Sequence, residues 1–211
     1  DSSGNGNIGT LSNVEWATDS ISGCAVSFNG IDSIINAMQN IPITHQVTLE
    51  AWIKRNSDTS GTIISRNGPF YLAINPDVYD GYRFPINGTV RAGVFTDNSV
   101  WHEFSSNNMI SVGQWTHVAM TYDGTTLRIF INGVEDSSNP VSGGIAAPNS
   151  GPSFGWGDCG HCQYFDGLMD EIRISDIART SFEVTTTTIP PSPCSQDDLF
   201  CDDFNDGSAG G

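Results

Sequence analysis

Basic residues are scarce: Lys and Arg together number 8 against 24 Asp and Glu, leaving a formal charge of −16 over 211 residues. Such a field repels phosphate backbones and anionic bilayers, so nucleic acid is not an expected partner. The acidity serves either solubility or the collection of divalent cations, whose hard oxygen ligands are these same carboxylates. No apolar run approaches the roughly 18 residues of a spanning helix, which excludes membrane insertion of that kind. A long apolar pattern of period 3.6 is also missing, so helix should be rare. No secretory leader is visible: the sequence opens at Asp1 in a Gly/Asn-rich turn, as a mature or excised domain would.

What is present reads as short strands. Between Gln114 and Glu135 the sequence QWTHVAMTYDGTTLRIFINGVE holds two runs joined at Asp123-Gly124, with Leu127, Ile129 and Ile131 alternating against Arg128, Phe130 and Asn132. That period of two is the signature of a pleated strand, and Asp-Gly is a hairpin signal. CAVSF and SIINA are separated by Asn29-Gly30, and VTLEAWIKR sets Leu49, Ala51 and Ile53 against Glu50, Trp52 and Lys54. TIISR, FYLAI, YRFPI, TVRAGVF and VWHEFSS follow at short intervals, then a Ser/Gly/Pro-rich loop from Ser137 to Pro152 and a long strand from Tyr164 to Ser175. Ile177 to Glu183 is expected to form a helical turn. With 23 Gly and 10 Pro between β-prone runs and 37% hydrophobic residues, the pattern predicts an all-β, two-sheet antiparallel sandwich.

Domain organisation follows from composition. A sandwich domain is expected over residues 1–183, and a Thr/Pro-rich linker over 184–193 that is stiff and extended. Residues 194–211, with five aspartates and no basic side chain, are too short for a core and read as the acidic start of a further module or as a tail. Five cysteines are present. Cys159 and Cys162 in DCGHC, and Cys194 and Cys201 around SQDDLF, are spaced for local disulfides, which would imply an oxidising, extracellular or cell-surface setting. Cys-Gly-His-Cys also allows a metal ligand pair or a redox site. The redox reading lacks the strand-to-helix context, and Asp158 beside the first thiol would raise its pKa. Cys24 is expected as a small buried core residue. Asn87-Gly88-Thr89 is a glycosylation sequon of low specificity. Asp1, Ser3, Asn5 and Asn7 around Gly6 resemble a calcium loop in spacing, but the closing acid is replaced by Ser12, so a turn is expected.

FNGIDSII, VTLEAWIK, GTIISR, GQWTHVAMTYDGTTLRIFINGVE and YFDGLMDEIRI lie in register along the chain. Together they resemble the concanavalin A-like lectin/glucanase superfamily, specifically its laminin G-like jelly-roll domains. The resemblance implies a jelly roll of two stacked sheets and, often, a structural calcium ion at one edge. Its ligands here would be Asn29, Gly30 through its carbonyl, Asp32 and Asp170, with Asn29 and Ser33 standing where relatives carry acids. The fold hosts glycan binders, adhesion modules and enzyme accessory domains alike.

No catalytic residues are expected. The Glu-x-Asp-x-Glu run of the glucanases is missing, Asp170 and Glu171 are adjacent and so should face opposite sides of a strand, and Glu50 reads as a structural acid. His45, His102 and His117 are scattered, and no serine sits in a nucleophile elbow. Sugars stack on aromatic rings while their hydroxyls seek polar side chains. Tyr79, Tyr82, Trp101 and Trp156 lie in or beside loops rich in Asp, Asn and Gly and are the carbohydrate-binding candidates, whereas Trp52 and Trp115 are expected to fill the sandwich. The expected function is a non-catalytic carbohydrate-binding module of an exported or surface multidomain protein, its partner a glycan. The alternatives are a protein–protein adhesion or spacer domain bound to a surface protein, and an accessory domain of a polysaccharide-acting enzyme.

Overall fold

A computed structural model describes residues 7–37, 43–66, 69–74, 78–79, 82–83, 88–148, 150–157 and 163–184. Its strands, in chain order, are β1 (Gly9–Ser12), β2 (Glu15–Ala17), β3 (Ala25–Asn29), β4 (Ile34–Ala37), β5 (Val47–Arg55), β6 (Gly61–Arg66), β7 (Phe70–Ile74), β8 (Val78–Tyr79) and β9 (Tyr82–Arg83). They continue with β10 (Thr89–Phe95), β11 (Trp101–Met109), β12 (Trp115–Tyr122), β13 (Thr126–Ile131), β14 (Val134–Pro140), β15 (Pro152–Phe154) and β16 (Asp166–Ser175). Two antiparallel sheets of seven strands result. Sheet A runs β1-β4-β15-β6-β7-β10-β11, sheet B runs β14-β13-β12-β5-β16-β3-β2, and β8-β9 form a separate pair. The chain is an all-β sandwich, as the strand pattern predicts, and a jelly roll, as the resemblance implies.

The β12–β13 hairpin turns at Asp123-Gly124 as predicted, with Tyr122 opposite Leu127 and Val118 opposite Ile131. Asp123 fixes the turn: Oδ1 accepts the N–H groups of Thr125 and Thr126, both at 2.8 Å, and Oδ2 accepts Arg128 Nη1 at 2.6 Å. These bonds outweigh the upward push of burial and hold its carboxyl well below the usual range. The second turn, at Asn132-Gly133, leads into β14, so residues expected in the long loop from Ser137 instead pair in a strand as far as Pro140.

Alternation supplies the core. Leu49 and Ile53 of β5, Val118 and Met120 of β12, Leu72 of β7, and Val90 and Val94 of β10 are all fully buried between the sheets. The opposite rows face outward, and Trp52 goes with them. Trp52 is buried on the outer face of sheet B beside Glu50, and Trp115 is half-buried with its Nε1 donating to Asp19 at 2.8 Å. Neither belongs to the core between the sheets, contrary to expectation, because each sits on the outward phase of its strand.

After β16 the chain crosses the outer face of sheet B as a strap, residues 176–184, and the expected helical turn does not form. Backbone groups that a helix would pair internally are taken by side chains of sheet B. Thr48 Oγ1 donates to Ile177 O at 2.6 Å and accepts Arg179 N at 2.9 Å. Phe182 then packs on His117 and Phe130, with ring centroids at 5.3 and 4.9 Å, and Val184 reaches the Gly133 turn.

Candidate functional site

On the outer face of sheet A, the outward residues of β7, β10 and β11 form an aromatic and charged array. Trp101, 44% exposed, leans on Tyr71 (5.8 Å between centroids) and on Phe95, its register partner (5.3 Å). Tyr71 and Glu103 flank Gly93 in register, and the Tyr71 ring lies over that glycine, where an added Cβ would come within 2.3 Å of it. The missing side chain is thus the seat of the ring. Tyr71 Oη donates to Glu103 Oε2 at 2.6 Å, and Arg91 donates to Glu103 Oε1. Burial pushes the Tyr71 phenol up, so it stays protonated as a donor. Arg91 is buried while Glu103 keeps one third of its side chain in solvent. The result is an exposed indole face backed by two rings, with an oriented carboxylate beside it.

Of the four aromatic candidates, Trp101 falls within this array. Trp156 is half-buried and stacks on Tyr164 at 6.0 Å and 27°, in the segment after β15, across four strand spacings (about 19 Å) from β11. There Gly157 presses against Ser65, where a Cβ would meet it at 2.3 Å, covering the outer face at β6. Tyr79 and Tyr82 are register partners across β8–β9, but their side chains lie outside the described residues. Sequence reasoning passes over Tyr71, Phe95, Arg91 and Glu103. Their signal is the outward phase of FYLAI, TVRAGVF and WHEF, where a bulky or charged residue interrupts otherwise apolar strands.

The metal candidates separate into two places. Asn29 caps its own turn, Oδ1 accepting the N–H groups of Ile31, Asp32 and Ser33 at 2.9, 3.0 and 3.2 Å. Asp32 accepts Nδ2 of Asn29 at 2.8 Å and of Asn13 at 2.9 Å, and Gly30, at φ 73°, packs against Asp166. Asp166 is the register partner of Asn29, and Asp170 lies four residues further along β16, about 13 Å by strand rise. There it accepts the N–H groups of Ile21 (2.7 Å), Ser22 (2.9 Å) and Glu171 (2.8 Å). In this arrangement the four do not fit one ion: Asp170 stands apart, and the carboxylate oxygens of both Asp32 and Asp170 are hydrogen-bonded. Among the described residues, no group of three or more His, Cys, Asp or Glu is placed to hold a metal.

The outer face of sheet B holds a buried ion-pair cluster. Glu50 Oε1 accepts Arg179 Nη1 at 2.7 Å, and Oε2 lies 3.1 Å from His117 Nε2. Burial pushes Glu50 up, but the His117 bond and the Arg179 and Arg173 charges outweigh it and keep its carboxyl below the usual range. The structural role expected for Glu50 is thus accounted for. Asp170 and Glu171, expected on opposite faces, instead both reach Ser22. The reason is a β-bulge: β16 takes three steps from Asp170 to Arg173 while β5 takes two from Trp52 to Glu50, with Glu171 at φ 48°. Burial raises both carboxyls, and Asp170 adds to the rise at Glu171. Cys24 is buried as expected, but its sulfur is in a disulfide. With four other cysteines in the chain, that bond leaves room for one further pair. Cys159, Cys162, Cys194 and Cys201 lie outside the described residues, as do the Asn87 sequon residue and the opening loop to Gly6.

Among curated protein sequences none matches the chain. Solved structures do. Domain 4 of the extracellular arabinanase AbnA from Geobacillus stearothermophilus, in complex with arabinotriose, is 26% identical, with a TM-score of 0.62 over 82% of this chain and 84% of that one. A heptameric SAP-like pentraxin from Limulus polyphemus is 21% identical, with a TM-score of 0.57 over 78% and 81%. A provisionally named carbohydrate-binding protein from Bacteroides ovatus is 22% identical, with a TM-score of 0.55 over 90% of this chain and 48% of that one. The laminin G family model, described as concanavalin A-like lectin/glucanases superfamily, matches residues 29–185, and the chain belongs to that superfamily.

Proposed function

We propose that the chain is a non-catalytic carbohydrate-binding module of an exported or cell-surface multidomain protein, and that it takes its glycan on the outer face of sheet A. The observation that carries this reading is Trp101, a half-exposed indole braced by the tilted rings of Tyr71 and Phe95, with Glu103 oriented beside it. A sugar ring stacks its C–H face on such a surface, while Glu103 accepts a hydroxyl proton. The likeness to an arabinanase domain bound to arabinotriose supports this chemistry and makes a furanose oligomer the first ligand to test, with the module serving as accessory to a polysaccharide-acting enzyme. The calcium that the resemblance implies is a separate part of the proposal, confined to the Asn29–Asp32 turn, where Asp32 would exchange its amide donors for the ion.

Calorimetric titration with arabinotriose and with soluble plant polysaccharides tests the reading. Trp101→Ala should weaken binding by at least about tenfold, the loss of one stacked ring. Binding unchanged in that variant moves the site elsewhere. If no glycan binds and a surface protein is captured instead, the adhesion reading takes its place.

A further inference from the structure

The outer face of sheet B, turned away from Trp101, carries a cleft of about 340 Å³ that the platform does not use. This lies within the range of small-ligand sites, roughly 300–1,000 Å³. It is lined by Trp52 and Glu50 of β5, Glu171 and Arg173 of β16, and Ser22 and Ser181, among others. Three features mark it as more than a packing defect. The Arg173 guanidinium has its nearest carboxylate, Glu50, at 3.9 Å, beyond hydrogen-bond reach, because Arg179 already holds that oxygen at 2.7 Å. Among the described residues Arg173 donates no hydrogen bond, and 28% of its side chain is in solvent. A group with five donors is therefore presented to the cleft.

The second feature is the bulge. A regular β16 would send Glu171 into the core. The extra residue and the left-handed φ of 48° turn its carboxyl into the cleft instead. A non-glycine residue in that region is strained, and such strain gathers where a side chain must be re-aimed. Third, the cleft interleaves charges of both signs, Arg173 and Arg179 among Glu50, Glu171 and Glu183. Charges of both signs disfavour an anion as ligand, while a donor fork and an acceptor carboxyl suit a neutral ring bearing several hydroxyls.

We infer that this cleft is a second saccharide subsite, taking a neutral sugar unit between Arg173 and Glu171, with Trp52 in its lining. It rests on the reading of the chain as a glycan binder but on none of the platform's residues. Because the two sites lie on opposite sheets, one short oligosaccharide cannot fill both. Each chain would instead join two strands of a polymer, or two points of a folded one, with the gain in avidity that divalence brings.

The test follows the indole N–H resonances of Trp52 and Trp101 in the full chain during titration with arabinotriose and a panel of neutral oligosaccharides. Both should shift and saturate. Arg173→Gln should weaken the Trp52 response about tenfold and leave that of Trp101 intact, and Glu171→Gln, nearly isosteric, should do the same. Melting curves of both variants confirm that they fold. A Trp101 shift with a static Trp52 overturns the cleft and spares the platform. A Trp52 shift with a static Trp101 does the reverse, and silence at both across the panel overturns both.

Discussion

Glu50 is where a single residue carries most structural weight. It is buried and joins β5, β12 and the strap through His117 and Arg179. Removing one member of such a buried pair strands the others without a partner, so Glu50→Ala should cost about 3–5 kcal/mol in urea unfolding. A loss under about 1 kcal/mol would mean the cluster is idle. Its carboxyl is held below its ordinary 4.5, so its stabilisation is full above that value and disappears as pH falls through the lowered folded value. Asp170 and Glu171 have the opposite sign. Raised by burial, they oppose folding when ionised, and that cost is relieved as pH falls through their raised values. Melts from pH 7 downward should show stability held or gained until the acid limb begins, a limb shallower in Glu50→Ala, where Asp19 and Asp123, also held low, still contribute. Trp101 is legible in the sequence because an aromatic beside a polar loop is conspicuous. Tyr71, Arg91 and Glu103 are not, because their meaning comes from register: only once β7, β10 and β11 are paired around Gly93 do three outward positions become neighbours.

At the scale of elements, strand identity and the β12–β13 turn are readable from alternation and Asp-Gly, since both are local. The bulge at Glu171 is not. Nothing in MDEIRIS signals an extra residue, because the insertion is defined against β5, so the expected opposition of Asp170 and Glu171 fails. The strap fails to become a helix for a similar reason: Thr48 and Gln46, more than a hundred residues earlier, supply partners for its backbone. Phe182 is its apolar anchor. Truncating Phe182→Ala should expose Phe130 and His117, cost about 3 kcal/mol, and raise protease sensitivity in residues 176–184 before global unfolding. Cleavage rates equal to the parent's would show that the strap is held by its polar contacts alone.

For the whole molecule, a sandwich of two antiparallel sheets follows from the run of short strands and turn spacing, whereas the seven strands in each sheet and the pairing of cysteines do not, because both are properties of the folded topology. Cys24, isolated in sequence, is bonded in space. The charge of −16 gives every loop some attraction for divalent cations, so calcium dependence must be tested on stability rather than on binding alone. If an ion sits at the Asn29–Asp32 turn, chelator should lower Tm by several degrees, calcium should restore it, and Asp32→Ala should abolish the difference. A Tm indifferent to both would remove calcium from the proposal. The strap also sets how the molecule bears load. Val184, the last described residue of the strap, packs against the Gly133 turn on sheet B, the side away from Trp101. Tension drawn through the following residues meets the strap first, and the strap is fastened by a few side chains in series rather than by a strand ladder. It would peel contact by contact while the sheets stay intact.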